Sequence, residues 1–273
     1  MLLLAPAAGA QRFEENAWWH RRVLHIAHAG GECEAPTNTL YAFKTALARG
    51  ADMLEFDVNS SADGVPVVIH DATVDRVTNG SGRVDAMTLA ELKLLDKAYD
   101  YTPHAGEGCG DEAPGVHPFR GVATGDVPPP EGFEAGDFRI ATVREVLETF
   151  PDVLMSIEIK GTPPGALATA EALAALLREF GRSDDVLVAS FDDAVIDHFK
   201  AHAPEVHTTP GTEGVAAFLF GIPLPEHQAL QVPPSFGGVV IASPGFVAYF
   251  HSRGMPVYVF LEEGTEFESV YDE

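Results

Sequence analysis

Short apolar runs alternate along this chain with stretches in which apolar residues return at helical spacing. The runs predict strands buried on both faces, and the periodic stretches predict helices that cover them. Residues 23–28 form a first strand. Thr37-Asn38 then caps a helix in which Leu40, Phe43 and Leu47 share a face, and Gly50 stops it. Residues 53–58 form the second strand, which completes a β-α-β unit. The next run, 65–69, follows after only Asn59 to Gly64, too short a link for a parallel crossover. It must therefore run antiparallel, turning at Asp63-Gly64 and bringing His70 back beside the end of the second strand.

Further strands are predicted at 154–160, 186–191, 206–209, 239–243 and 257–260. Helices at 141–150, 166–180, 192–203, 212–220 and 245–253 alternate with them. Between them, residues 71–139 are rich in Gly, Pro and Asp, and Thr88-Leu89-Ala90-Glu91 opens one helix there as a capping box. That pattern predicts an α/β protein with a parallel sheet wrapped by helices and a loop-rich insertion at about 71–139. Parallel starts at Val23, Met53, Leu154, Val186, Val206, Val239 and Val257 give seven staves, one short of a TIM (β/α)₈ barrel. A helical pattern resumes after Gly264, where one more helix and strand would be expected. The expectation is a barrel lacking its last strand, with its first strand's edge exposed, and hence a truncated fragment.

Two of the strands carry charge where a buried strand should not. In 53–58, Glu55 and Asp57 point to one face while Leu54, Phe56 and Val58 point to the other. An edge strand with one wet face would tolerate this. On a buried face, two anions need a positive partner, and a hard divalent cation with oxygen ligands supplies it. The 154–160 strand repeats the arrangement, with Ser156, Glu158 and Lys160 on one face and Ile157 and Ile159 on the other. Barrel active sites lie at the C-terminal ends of the strands, where His28, Glu55, Asp57, Glu158 and Lys160 all fall and where His70 returns.

The formal net charge of the 273-residue chain is −24, from 41 acidic and 17 basic residues. That balance excludes nucleic acid and docking to anionic lipid as partners, and an anionic substrate would need local attraction. No apolar run reaches the roughly eighteen residues of a membrane span. Cys33 and Cys109 fit no metal-ligand spacing and are too few for a disulfide framework. Residues 1–22 stand apart from the barrel at 23–273. Ala8-Gly9-Ala10 there fits the small-x-small pattern of a secretory cleavage site, so the segment reads as a signal remnant. The expected compartment is secreted or periplasmic, with a cytoplasmic location as the alternative.

The ordered motifs His28-Ala29-Gly30-Gly31, Asn38-Thr39-Leu40, Glu55-Phe56-Asp57-Val58, Val68-Ile69-His70-Asp71, Asp75-Arg76-Val77-Thr78-Asn79-Gly80 and Ile157-Glu158-Ile159-Lys160 resemble the glycerophosphodiester phosphodiesterase family. The resemblance runs from about residue 23 to the C-terminus. It implies a TIM barrel with an insertion after the returning segment, and metal-dependent hydrolysis of glycerol phosphodiesters to glycerol 3-phosphate and an alcohol. By the same resemblance Glu55, Asp57 and Glu158 hold Mg²⁺ or Ca²⁺, His28 and His70 are the acid–base pair, and Lys160 contacts phosphate or glycerol oxygens. The implied partner is a small-molecule glycerophosphodiester, without nucleic acid or stable membrane insertion; the oligomeric state stays open.

Two positions depart from the family pattern. Ala29 stands where Arg is usual, which removes a bidentate phosphate clamp, and Thr37 stands where Glu is usual. Three readings follow: an active enzyme with altered phosphate contacts, a lysophospholipase D or sphingomyelinase D-like lipid phosphodiesterase, and an inactive phosphodiester-binding relative or fragment.

Overall fold

Local signals set the first β-α-β unit. The computed structural model describes residues 24–31, 34–103, 115–219 and 227–260. Strand β1 (Ile26–Ala27) ends in a 3₁₀ turn, His28–Gly30, and helix α1 (Leu40–Ala48) follows. The cap is Thr39, whose hydroxyl accepts the Ala42 N–H, rather than Thr37 or Asn38. Asn38 itself is left-handed at φ +57° and its side chain is engaged elsewhere. Gly50 turns the chain at φ +98° into β2 (Met53–Ser60), which lies parallel to β1 with Ile26 opposite Met53.

Strand β3 (Pro66–Val68) returns antiparallel on β2, Val68 opposite Val58, after a tight turn in which Gly64 takes φ +77°. The Ile69 N–H then donates to the Asp57 carbonyl at 3.0 Å, so the following His70 leaves from the end of β2, as the antiparallel reading required.

Beyond it, the described residues of 71–139 carry little regular structure: α2 (Leu89–Leu92), opened by the Thr88–Glu91 capping box, and short 3₁₀ turns. They still pack. Val74, Val84 and Leu92 are buried against Val67, Ile69 and Ile140, while Val122, Ala123 and Phe138 form a second cluster beneath Tyr41 of α1.

The chain then alternates regularly. α3 (Val143–Thr149) leads to β4 (Leu154–Ile159), and α4 (Gly165–Phe180) stops at Gly181 in the left-handed region. After β5 (Val186–Ala189) comes α5 (Asp193–His202), capped by Asp192, then β6 (His207–Thr208) and α6 (Thr212–Leu219). β7 (Leu230–Val232), the pair β8 (Ser235–Phe236) and β9 (Val239–Val240), α7 (Pro244–His251) and β10 (Val257–Val259) complete the described elements.

Strands β1, β2, β4, β5 and β6 run parallel in that order, with β3 hung on β2. Gln228 bridges β6 to β7, its N–H donating to the Thr208 carbonyl at 3.0 Å, and β10 pairs parallel with β7. Outward residues of β2 and β4, among them Leu54, Phe56, Val58, Ile157 and Ile159, pack against Val143, Leu147, Leu173, Ile196 and Phe199 of the covering helices. Inward at the N-terminal ends, Met53, Leu187 and Ala229 are buried together with Ile26, Leu154 and Tyr258 around them. The fold is the α/β TIM barrel predicted, and among the described residues no strand joins β10 to β1.

One stave was misplaced. Residues 239–243 were predicted to be a parallel strand, but Val239–Val240 pairs antiparallel with Ser235–Phe236 as an exposed hairpin. Gly237 and Gly238, at φ +57° and +80°, form the two-residue turn that such a hairpin requires. The actual stave is Leu-Gln-Val at 230–232. Its polar centre broke the apolar run, yet Gln231 faces inward and donates to Ser156 Oγ at 2.7 Å. Residues 1–22, Cys33, Cys109 and the helix expected after Gly264 lie outside the described residues.

Candidate active site

The register of two neighbouring strands assembles the acidic centre. Asp57 of β2 stands opposite Glu158 of β4, and Glu55 stands opposite Ser156 one pleat below. Glu55, Asp57 and Glu158 each offer an oxygen, all within 4.8 Å of one another. Lys160, just past the end of β4, sets its ammonium 3.1 Å from Asp57 and 2.7 Å from Glu158.

Asp57 and Glu55 are held by amide or backbone groups as well. Asp57 is fully buried and pairs reciprocally with Asn38, whose Nδ2 donates to Oδ2 at 2.8 Å and whose Oδ1 accepts the Asp57 N–H at 3.1 Å. Glu55 Oε2 accepts the Ala29 N–H at 2.8 Å, and His28 Nε2 lies 4.0 Å from the same oxygen. The turn that supplies Ala29 and His28 is pressed against α1. A Cβ at Gly30 would sit 2.8 Å from both Ala42 Cβ and Phe43 Cδ1, and Gly30 has φ +82°.

Three carboxylates against one ammonium leave an excess of negative charge. Burial first, then the Asp57 charge, pushes Glu55 up to about 8. Burial likewise raises Glu158 above the usual carboxylate range. Burial opposes the Lys160 charge, yet Asp57 and Glu158 together hold it above its ordinary value. The donors are all oxygens lying within 4.8 Å of one another, a spread that ligands about 2.3–2.6 Å from one centre can span. This donor set fits a hard divalent cation.

His70 is positioned differently. Its Nδ1 lies 2.7 Å from Asp71 Oδ1, and Arg76 forks onto the same carboxylate through Nε at 2.7 Å and Nη2 at 2.9 Å. Chiefly through Arg76, Asp71 is held down at about 2. An ionised Asp71 only accepts, so the His70 Nδ1–H must donate, which leaves the lone pair of the neutral ring on Nε2. Asn59 Nδ2 fixes the segment by donating to the carbonyls of Ile69 and His70 at 2.9 and 3.2 Å. The His70 side chain is half exposed at the mouth.

The insertion reaches the site through Lys97. It is buried, donates to the Thr37 carbonyl at 2.8 Å, and is lowered to about 7 by burial and then by the Arg76 charge. Asn38, expected from the sequence only as a helix cap, and Asp71 and Arg76, expected in no role, all lie inside the family motifs; Lys97 sits in the insertion, where no periodic signal marks it. At the opposite rim, Phe191 follows β5, is 58% exposed, and meets Phe260 edge-on at 6.1 Å, with the Lys160 ammonium 5.6 Å above its ring.

A family model described as the glycerophosphoryl diester phosphodiesterase family matches residues 28–264. The chain belongs to this family. This phosphoric diester hydrolase is 35% identical over 213 residues to a glycerophosphodiester phosphodiesterase of Caldanaerobacter subterraneus subsp. tengcongensis, which covers 77% of this chain and 73% of that relative. It is 42% identical over 80 residues to human glycerophosphodiester phosphodiesterase 1, 29% of this chain and 24% of that one. Among solved structures, a glycerophosphodiester phosphodiesterase of Agrobacterium tumefaciens superposes with a TM-score of 0.61 at 24% identity, covering 86% of this chain and 85% of its own. A phosphodiesterase of Oleispira antarctica in complex with the product sn-glycerol 3-phosphate gives 0.62 at 24% identity, covering 86% and 83%. At these identities the likeness of the structures is one of fold.

Proposed function

We propose that this family member hydrolyses glycerophosphodiesters to glycerol 3-phosphate and an alcohol. In this reading Glu55, Asp57 and Glu158 hold Mg²⁺ or Ca²⁺, and His28 and His70 form the acid–base pair. The observation that carries it is the meeting of three carboxylates from two strands within 4.8 Å, beside a histidine whose tautomer is set by Asp71. The name of the Caldanaerobacter relative and the product bound in the Oleispira structure support the substrate class.

A cation held by Glu55, Asp57 and Glu158 would supply the positive charge that offsets negative charge developing on the phosphodiester oxygens. His70 Nε2 accepts a proton from the attacking hydroxyl as the new P–O bond forms; attack by water gives glycerol 3-phosphate directly, and attack by the glycerol 2-hydroxyl gives a cyclic phosphate that water then opens to glycerol 3-phosphate. His28, beside Glu55, gives a proton to the departing alkoxide as the old P–O bond breaks. The Lys160 ammonium adds a positive contact for phosphate or glycerol oxygens. Ala29 contributes no guanidinium; its backbone N–H steadies Glu55 instead.

The test is release of glycerol 3-phosphate from several glycerophosphodiesters with Mg²⁺, with Ca²⁺ and with excess chelator. Turnover should need the cation and should fall by about 10²-fold or more in His70→Ala. Tight diester binding without turnover in either metal would overturn this in favour of a binding-only relative. A second reading, head-group release from a lysolipid, is favoured by the exposed Phe191, which meets half-buried Phe260 beside Lys160. Choline released from lysophosphatidylcholine and not from glycerophosphocholine would establish it.

A further inference from the structure

On the outer surface of the barrel, α4 and α5 bring Glu171, His198 and His202 together with their ligand atoms within 4.8 Å of one another. His198 and His202 are four residues apart and so share one helix face, their ring centroids 4.2 Å apart. Both present Nε2 to the same carboxylate oxygen, Glu171 Oε1, at 2.9 and 3.9 Å. His202 Nδ1 lies 2.8 Å from the His198 carbonyl, which can only accept, so Nδ1 carries the proton. With the proton on Nδ1, the Nε2 lone pair of the neutral ring is directed toward Glu171, and one metal ion can take that lone pair and a carboxylate oxygen together. A backbone carbonyl bonded to the far ring nitrogen is also the outer contact that orients metal-bound imidazoles.

The scaffold beneath is rigid. Ala170 and Ala174 flank Glu171, Val195, Ile196 and Phe199 flank His198, and all five are buried in the shared core. The three ligands are 55%, 27% and 45% exposed, so an ion can reach them.

The geometry points to a second metal site, one for a transition-metal ion of the Zn²⁺ class, held by Glu171, His198 and His202 with water completing the shell. Two imidazoles and one carboxylate are the donors such ions take, unlike the all-oxygen set at the barrel mouth, which suits Mg²⁺ or Ca²⁺. The site stands apart from the proposed hydrolysis. Its effect is to clamp α4 to α5 and stabilise the native state by mass action.

The test uses the full chain, stripped of metal and returned to saturating Mg²⁺ so that the barrel carboxylates are engaged, then titrated with Zn²⁺ and separately with Co²⁺. One further equivalent should bind, Tm should rise, and Co²⁺ should give the visible absorption of a low-coordinate site. The double variant His198→Ala/His202→Ala, and Glu171→Gln independently, should weaken this binding at least tenfold and leave Mg²⁺-supported turnover at the parent level. Asp57→Asn should keep it. Equal Zn²⁺ affinity in the parent and double variant, or loss of the extra equivalent in Asp57→Asn, would overturn the assignment.

Discussion

At Asp71 one carboxylate serves two partners, accepting from His70 Nδ1 and from the Arg76 fork. Asp71→Asn would remove the charge that fixes the His70 tautomer. The expected result is a fall in kcat of about 10²–10⁴-fold with KM little changed, read from steady-state kinetics with the divalent cation saturating. Lys97 gives a separate test on stability. Burial lowers it to about 7 in the fold, against an ordinary value of 10.5. Between those values the unfolded chain binds more protons, so stability rises with pH from about 7 to 10 and falls as pH drops back toward 7. Below 7 both states are protonated and the slope from this group vanishes. Lys97→Met should flatten the rise by at most about 1.4 kcal/mol per pH unit, seen in urea unfolding from about pH 7.5 to 9.5. Glu55, Asp57, Glu158 and Lys160 were legible beforehand because a strand's period of two fixes which face each residue takes. Asp71 and Lys97 were not, since their roles depend on a side-chain rotamer and on the packing of an aperiodic segment.

Among the elements, the 28–30 turn joins the helix layer to the site. Gly30 has no room for a side chain against Ala42 and Phe43, and the same turn presents His28 and the Ala29 N–H to Glu55. Gly30→Ala is expected to cost about 2–4 kcal/mol in urea unfolding and to depress turnover in the molecules that remain folded, because strain and overpacking add. Elements with strong boundary signals were read correctly: Gly181 ends α4, and the Thr88 capping box opens α2. The stave at Leu230–Val232 was missed for a physical reason. A barrel interior tolerates a glutamine where a neighbouring wall supplies Ser156, so burial there does not require an apolar run. Conversely, the apolar Val239–Val240 pair lies in an exposed hairpin, with Val240 68% exposed.

The whole molecule carries a net charge of −24, and the acidic cluster sits at the mouth of the barrel. A diester with net negative charge is repelled until it comes within reach of a local positive charge, whereas zwitterionic glycerophosphocholine is not. Raising ionic strength from about 0.01 to 0.15 M shortens the screening length from about 30 to 8 Å. KM for an anionic diester such as glycerophosphoglycerol should therefore fall over that range, and KM for glycerophosphocholine should stay nearly flat. Initial-rate measurements with the two substrates side by side decide it. The other end of the barrel bears on traffic as well. Met53, Leu187 and Ala229, with Ile26, Leu154 and Tyr258 about them, plug the tube with hydrocarbon. Among the described residues this floor is closed to polar traffic: for the proposed reaction, outgoing glycerol 3-phosphate leaves by the mouth at which incoming diester arrives, and the two compete for the same threshold.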